Sequence, residues 1–140
     1  MLKKSNKPRL KAQAHLYRRL PDGRIVFLLL QRTPEKDSIW QCVTGNLDKG
    51  ETVEECAKRE AAEETGLKLT GRGVGEVWKF AFESKGRWFE EHVFGFEAAD
   101  SGVKLSREHQ AFCWIEAEEA IQMIHYESML NGLLKVSDKL

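Results

Sequence analysis

The hydrophobic positions fall into short blocks separated by polar turns. Ala12, Ala14 and Leu16 alternate with Gln13, His15 and Tyr17, a period of two that predicts a strand. Pro21-Asp22-Gly23 marks a turn. Ile25 to Leu30 is an unbroken apolar run, the pattern of a central strand buried on both faces. Thr33 to Ser38, with Pro34, reads as a polar loop. Thr52 to Thr65 reads as a helix. Thr52 and Glu55 have the spacing of a capping box, and Gly66 suits the position after the last turn, which often needs positive φ. Val74 to Glu83 and Trp88 to Ala98 flank Lys85-Gly86 and predict a hairpin, with Gly71, Gly73 and Gly75 marking a bulged approach to it. Asp100 to Gln110 predicts a loop, and Phe112 to Ile115 is a short apolar run. Ala117, Ala120, Ile121 and Ile124 then recur at helical spacing, with a further helix to about Lys135. This order predicts a single α+β domain over residues 1–140, a mixed sheet layered α/β/α.

The helix from Thr52 carries acids where apolar residues are expected. Projected as a helical wheel, Val53, Cys56, Ala57 and Ala61 form one stripe, and Glu60 and Glu64 point into it. Glu63 lies on its edge, and Glu54 and Glu55 fall on the opposite, solvated side. A carboxylate on an apolar face costs several kcal/mol unless it is compensated. Glu60, Glu63 and Glu64 are three and four residues apart, so they also crowd one another. Arg59, four residues before Glu63, balances only one of the three. A divalent metal balances all of them, and oxygen ligands select a hard ion such as Mg²⁺ or Mn²⁺. An internal salt-bridge network with arginines from elsewhere is the alternative. Gly45 and Gly50, in the loop before the helix, permit a close backbone approach to a metal or phosphate.

Composition narrows the setting. The chain has 140 residues, of which 41% are hydrophobic, enough for one packed core. The 22 basic and 22 acidic residues cancel, which argues against a dedicated nucleic-acid partner. No apolar run is long enough to span a bilayer, so no membrane partner is expected. No apolar segment follows the first lysines, so no secretory signal is predicted, and a cytoplasmic location is expected. Cys42, Cys56 and Cys113 are odd in number and form no C-x-x-C pair, which fits a reducing compartment and a buried, inert Cys56. Met1 to Lys11, with Lys3, Lys4, Lys7, Arg9 and Lys11 and no acid, reads as a solvated terminus rather than a phosphate-seeking arm. There is no phosphate-binding G-x-x-x-x-G-K-[ST] loop and no G-x-S-x-G nucleophile elbow.

Residues 45–67 resemble the signature of the Nudix hydrolases, G-x5-E-x7-R-E-U-x-E-E-x-G-U, where U is apolar. Gly45, Glu51, Arg59-Glu60, Ala61, Glu63-Glu64, Gly66 and Leu67 fill every fixed position. The resemblance implies a Nudix fold and cleavage of a nucleoside diphosphate linked to another group, with Mg²⁺ or Mn²⁺. It implies Glu60 and Glu64 as main metal ligands, Glu63 as a further ligand or holder of a bound water, and the backbone at Gly45 as a carbonyl ligand. Arg59 would orient a box glutamate, and Glu51 would tie loop to helix. The general base remains open among Glu63, Glu60 and Glu108.

Two flanking stretches resemble bacterial dATP or dihydroneopterin triphosphate pyrophosphohydrolases. These are Trp40-Gln41-Cys42-Val43-Thr44-Gly45 and Glu108-His109-Gln110-Ala111-Phe112-Cys113-Trp114. They nominate Glu108 as a ligand outside the box. The expected partner is a small nucleotide or pterin triphosphate, cleaved to pyrophosphate and a monophosphate by a monomer or homodimer. Diadenosine polyphosphates, oxidised nucleotides and nucleotide sugars are the alternatives, and a catalytically silent nucleotide-binding module is a third reading. Trp40, Phe80, Phe82 and Trp88 are candidates to stack on a base, Trp40 foremost because it adjoins the box loop. Gln41 is placed with Trp40 at the substrate, and Arg32, Lys36 and Arg87 are candidates to meet phosphate.

Overall fold

A computed structural model describes residues 7–140. Its strands are β1 (Arg9–Arg19), β2 (Ile25–Arg32), β3 (Trp40–Gln41), β4 (Val43–Asn46), β5 (Leu69–Ser84), β6 (Arg87–Ala98) and β7 (His109–Ile115). Its helices are α1 (Val53–Thr65), α2 (Ala117–Met123) and α3 (Glu127–Asp138). Of the basic segment Met1 to Lys11, residues 1–6 lie outside the described residues, while Arg9 to Lys11 begin β1 and pair with β6 rather than forming a solvated terminus.

The seven strands form one mixed sheet. β1 is its axis. It runs parallel to β6 over Arg9 to Tyr17 and antiparallel to two strands on its other side. β4 pairs with its first half, Ala12 opposite Gly45, and β2 pairs with its last residues, Tyr17 opposite Phe27. The divergence of β2 from β1 opens the space that β3 and β4 occupy, and this brings the loop before α1 into the middle of the sheet. β5 closes one edge against β6, and β7 the other against β2.

The alternation in β1 sorts its side chains onto two faces. Ala12, Ala14 and Leu16 pack with Val43, Phe94 and Phe96 beneath Cys56, Ala57 and Ala61 of α1. Tyr17 packs on the other face with Phe27, Leu29 and the α3 residues Met129, Leu133 and Val136. Gln13 and His15 lie on this second face and are also fully buried, so the polar half of the alternation is not solvated. α2 and α3 cover the second face, which completes the expected α/β/α layering.

The turn at Pro21 to Gly23 closes with the Gly23 amide donating to the Leu20 carbonyl at 2.9 Å. Both halves of the capping box form: Glu55 N–H donates to Thr52 Oγ1 at 3.1 Å, and Thr52 N–H to Glu55 Oε1 at 2.9 Å. Gly66 ends α1 at φ 69°. β5 and β6 form the predicted hairpin, but β5 begins at Leu69 rather than Val74. Register shifts around Gly73 and Gly75 let this glycine-rich stretch stay paired. β7 begins at His109, inside the segment expected to be loop, because Arg32 of β2 pairs with it there. Pro34–Lys36 forms one 3₁₀ turn in the predicted loop.

Candidate active site

The site is built on the inner face of α1. Glu64 is 3% exposed and sits beside Cys56, Ala57 and Ala61. Burial pushes its carboxyl well above the usual carboxylate range, and a hydrogen bond with Glu60 pushes the same way. Glu60 is also raised by burial, with the Arg59 guanidinium opposing. Glu64 Oε1 is sealed from solvent and has no hydrogen-bond partner among the described residues. Such a buried oxygen costs about 1–3 kcal/mol while it stays unpaired.

Gly45 explains how the loop reaches this face. A Cβ there would overlap the Glu60 carboxylate, so only glycine lets the β4 backbone lie against the acid. The Gly45 carbonyl also faces α1, where the Cys56 thiol approaches it at 3.8 Å.

Arg59 fixes the loop to the helix. It donates to Glu51 Oε2 at 2.7 Å and Oε1 at 3.0 Å, a two-pronged pair. It also reaches the Asn46 carbonyl at 3.0 Å, Glu63 at 3.2 Å and Glu60 at 3.3 Å. Glu51 accepts from Asp48 N–H at 2.8 Å. The Arg59 hydrogen bonds hold Glu51 below the usual carboxylate range. Glu63 is exposed and directed to Arg59.

Glu108 immediately precedes β7, and its charge reaches Glu64. The Glu108 carbonyl accepts from Thr33 N–H at 3.2 Å, which ties it to the end of β2. His109 beside it is buried, with Nε2 3.2 Å from Gln41 Nε2 and Nδ1 unpaired. Among the described residues no three carboxylate, imidazole or thiol groups already converge as a cage. Glu60 and Glu64 share a hydrogen bond, and Glu63 turns to Arg59. The donor set nonetheless fits a hard divalent ion: carboxylates, a carbonyl and one orphaned buried oxygen.

A cleft of about 630 Å³ opens on the sheet face opposite α1. Thr44 and Gln41 line it next to the box loop, Arg32 lines it from β2, and Phe80, Phe82 and Phe89 form a wall. Phe82 and Phe89 stack with ring centres 5.2 Å apart. Tyr126 and Met129 bring the start of α3 to the same cleft. Gln41 and Arg32 thus share this cleft.

Trp40 does not. It is partly buried and packs against the apolar cluster that holds Ala120 and Ile124, and its backbone bridges to Ile124. Trp88, Lys36 and Arg87 also lie outside the cleft lining. Phe89, Glu91 and Tyr126 were missed from the sequence. The alternation of Phe89, Glu91 and Val93 on one strand face was the available signal.

The NUDIX domain sequence profile matches residues 9–133. The mouse asymmetrical bis(5'-nucleosyl)-tetraphosphatase is 34% identical over 121 residues, covering 82% of this chain and 80% of that one. The Haemophilus influenzae dihydroneopterin triphosphate diphosphatase is 26% identical over 121 residues, covering 77% and 76%. A crystal structure of a C. elegans Ap4A hydrolase binary complex superposes with a TM-score of 0.76 at 30% identity, covering 93% of this chain and 96% of that one. The chain spans only 31% of a longer relative, a Myxococcus xanthus octanoyltransferase that is 32% identical over 112 residues and 78% of this chain. The complete box, the sheet with its three helices and these matches agree: the chain belongs to the Nudix hydrolases, enzymes that cleave phosphoanhydride bonds of nucleotide-like substrates.

Proposed function

We propose that this chain cleaves a triphosphate of the dATP or dihydroneopterin triphosphate class to pyrophosphate and the monophosphate. One observation carries the reading: β4 links acids and cleft, with Gly45 lying against the Glu60 carboxylate of α1 and its neighbour Thr44 lining an aromatic-walled cleft on the other face of the sheet. A cleft of this kind suits one base with a phosphate chain running towards the helix.

Glu60, Glu64, Glu108 and the Gly45 carbonyl would hold Mg²⁺ or Mn²⁺, with Glu63 as a further ligand. When bound, the ion neutralises phosphate charge and lowers the pKa of a water. The chain's own residues do the rest. Arg59 and Glu51 fix the loop so that the Gly45 backbone stays against Glu60. Glu63 is solvent-exposed and, among the described residues, held by Arg59 alone, so where it does not ligate the ion it would be free to turn and take a proton from the attacking water. Arg32 meets phosphate oxygens, and Phe82 with Phe89 stacks on the base.

The relatives favour a second reading. The mouse protein is named for bis(5'-nucleosyl) tetraphosphates and the nematode one for Ap4A, and such a substrate would extend from the same cleft. Product analysis with Mg²⁺ separates the two. The panel is dATP, dihydroneopterin triphosphate, diadenosine tetraphosphate and ADP-ribose, each beside Glu64→Gln. Pyrophosphate from a triphosphate, lost by more than about a hundredfold in the variant, is the expected result. ATP plus AMP from the dinucleotide alone would move the substrate. Near-native turnover in the folded variant would refute the site.

A further inference from the structure

On the face opposite α1, β1 and β6 carry three buried polar side chains that the hydrolytic site does not use. Glu91 is 5% exposed, Gln13 0% and His15 1%. His15 Nε2 donates to Gln13 Oε1 at 2.7 Å, and Gln13 Nε2 donates to Glu91 Oε2 at 2.6 Å. The direction follows from the ends. An amide oxygen only accepts, so the imidazole nitrogen beside it carries the proton. The amide is thereby turned with its NH₂ towards the acid. Gly132 of α3 fits over this chain, since a Cβ there would overlap Gln13 Oε1 and lie 2.9 Å from His15 Nε2. Apolar residues would fill this space with less penalty, because buried polar groups cost free energy even when most are paired.

The polar chain ends in the cleft. Glu91 lines it, directly across the strands from Phe80, with the Phe82 and Phe89 stack one step further along the hairpin. Among the described residues Glu91 receives one side-chain hydrogen bond, from Gln13, and enters no ion pair. Its Oε1 has no protein partner and is not sealed from solvent. A ring stacked on the phenylalanine wall would bring its edge to this carboxylate.

We propose that Glu91, held in place by Gln13 and His15, selects the base by accepting two adjacent N–H groups, a ring N–H and an exocyclic amine, as guanine and pterins present. The inference rests on the triphosphate reading above and narrows it. A carboxylate only accepts, so adenine and cytosine would donate their exocyclic amine to one oxygen but set a ring nitrogen lone pair against the other. One such paired edge discriminates by about ten- to a hundredfold.

The test measures binding of GMP and AMP by calorimetry, and kcat/KM with Mg²⁺ for dGTP, dihydroneopterin triphosphate, dATP and dCTP. Wild type and Glu91→Gln are compared. The variant still accepts from Gln13 but offers an NH₂ in place of one acceptor. Wild type is expected to favour GMP over AMP by at least about tenfold, and the 2-amino-4-oxo triphosphates over the others by a similar ratio. Glu91→Gln is expected to bring both ratios to within about threefold of unity. Equal binding by wild type, a preference for AMP, or an unchanged ratio in a folded variant would overturn the proposal. If the variant fails to fold, the wild-type ratio decides. Selective GMP binding without triphosphate turnover would refute the hydrolytic reading and leave this one. Turnover with no base preference would overturn this one alone.

Discussion

His15 gives a pH dependence whose size follows from its position. The imidazole is 1% exposed on β1, under α3, and burial lowers its pKa from 6.5 to about 3. The unfolded chain takes up a proton near pH 6.5, and the folded chain resists until about pH 3. Over that window the unfolded state binds more protons, so stability falls as pH falls, by about 1.4 kcal/mol per unit. Between pH 6.5 and 4.5 this single group removes about 2–3 kcal/mol, a large part of a typical folding free energy of about 5–15 kcal/mol. The loss is present only below the unfolded pKa and is complete when pH reaches the folded one. His15→Gln removes the titration and keeps an amide that donates to Gln13 Oε1. Urea unfolding at pH 7.5, 5.5 and 4.5 compares the two proteins. His109, also lowered by burial, contributes equally to both and cancels in the difference. The variant is expected to lose less stability than wild type on acidification, by about 2 kcal/mol at pH 4.5. Parallel losses in the two proteins would refute the reasoning and place proton uptake elsewhere.

Three further substitutions probe the box. Gly45→Ala forces the loop away from Glu60, and a drop of more than about tenfold in kcat, with about 1–3 kcal/mol lost in unfolding, is expected; native kcat would show that the close approach is dispensable. Arg59→Lys cannot reproduce the two-pronged pair with Glu51 or reach the Asn46 carbonyl as well. It should lower kcat by about 10- to 100-fold while the far-ultraviolet spectrum is unchanged, and near-native kcat would remove Arg59 from the positioning role. Thr52→Ala loses one half of the capping box and should cost about 1 kcal/mol in chemical denaturation; no change would mean that Glu55 alone secures the helix start.

Much of α1 is legible in the sequence alone. A helix has a fixed angular period, so the spacing of its apolar positions suffices to show Glu60 and Glu64 pointing at the core. Thr52 and Gly66 act through local backbone bonds, and these form as their types dictate. The hairpin and the Ile25 to Leu30 strand are equally local. Trp40 shows where such reasoning stops. Its neighbours in sequence belong to the box loop, but its backbone bridges to Ile124, more than eighty residues away, and its side chain packs against the cluster that holds Ile124.

The polar chain on β1 shows the same limit. Period-two alternation assigns Gln13 and His15 to one face and Ala12 and Ala14 to the other. It does not say whether that face meets water. Here α3 covers it, and Gly132 makes room for polar groups that the pattern alone would place outside. In sequence Glu91 is one acid in a run of charge, Glu90-Glu91-His92. Parallel pairing of β6 with β1 puts it beside Lys11 and Gln13, and the β5 hairpin puts it beside Phe80. The sequence determined the helix that holds the acids, because that depends on spacing within one element, and the resemblance of residues 45–67 to the Nudix signature implied the reaction class. Only the tertiary structure decided what the cleft contains, because its wall is assembled from β1, β5, β6 and α3, whose contacts no local period encodes.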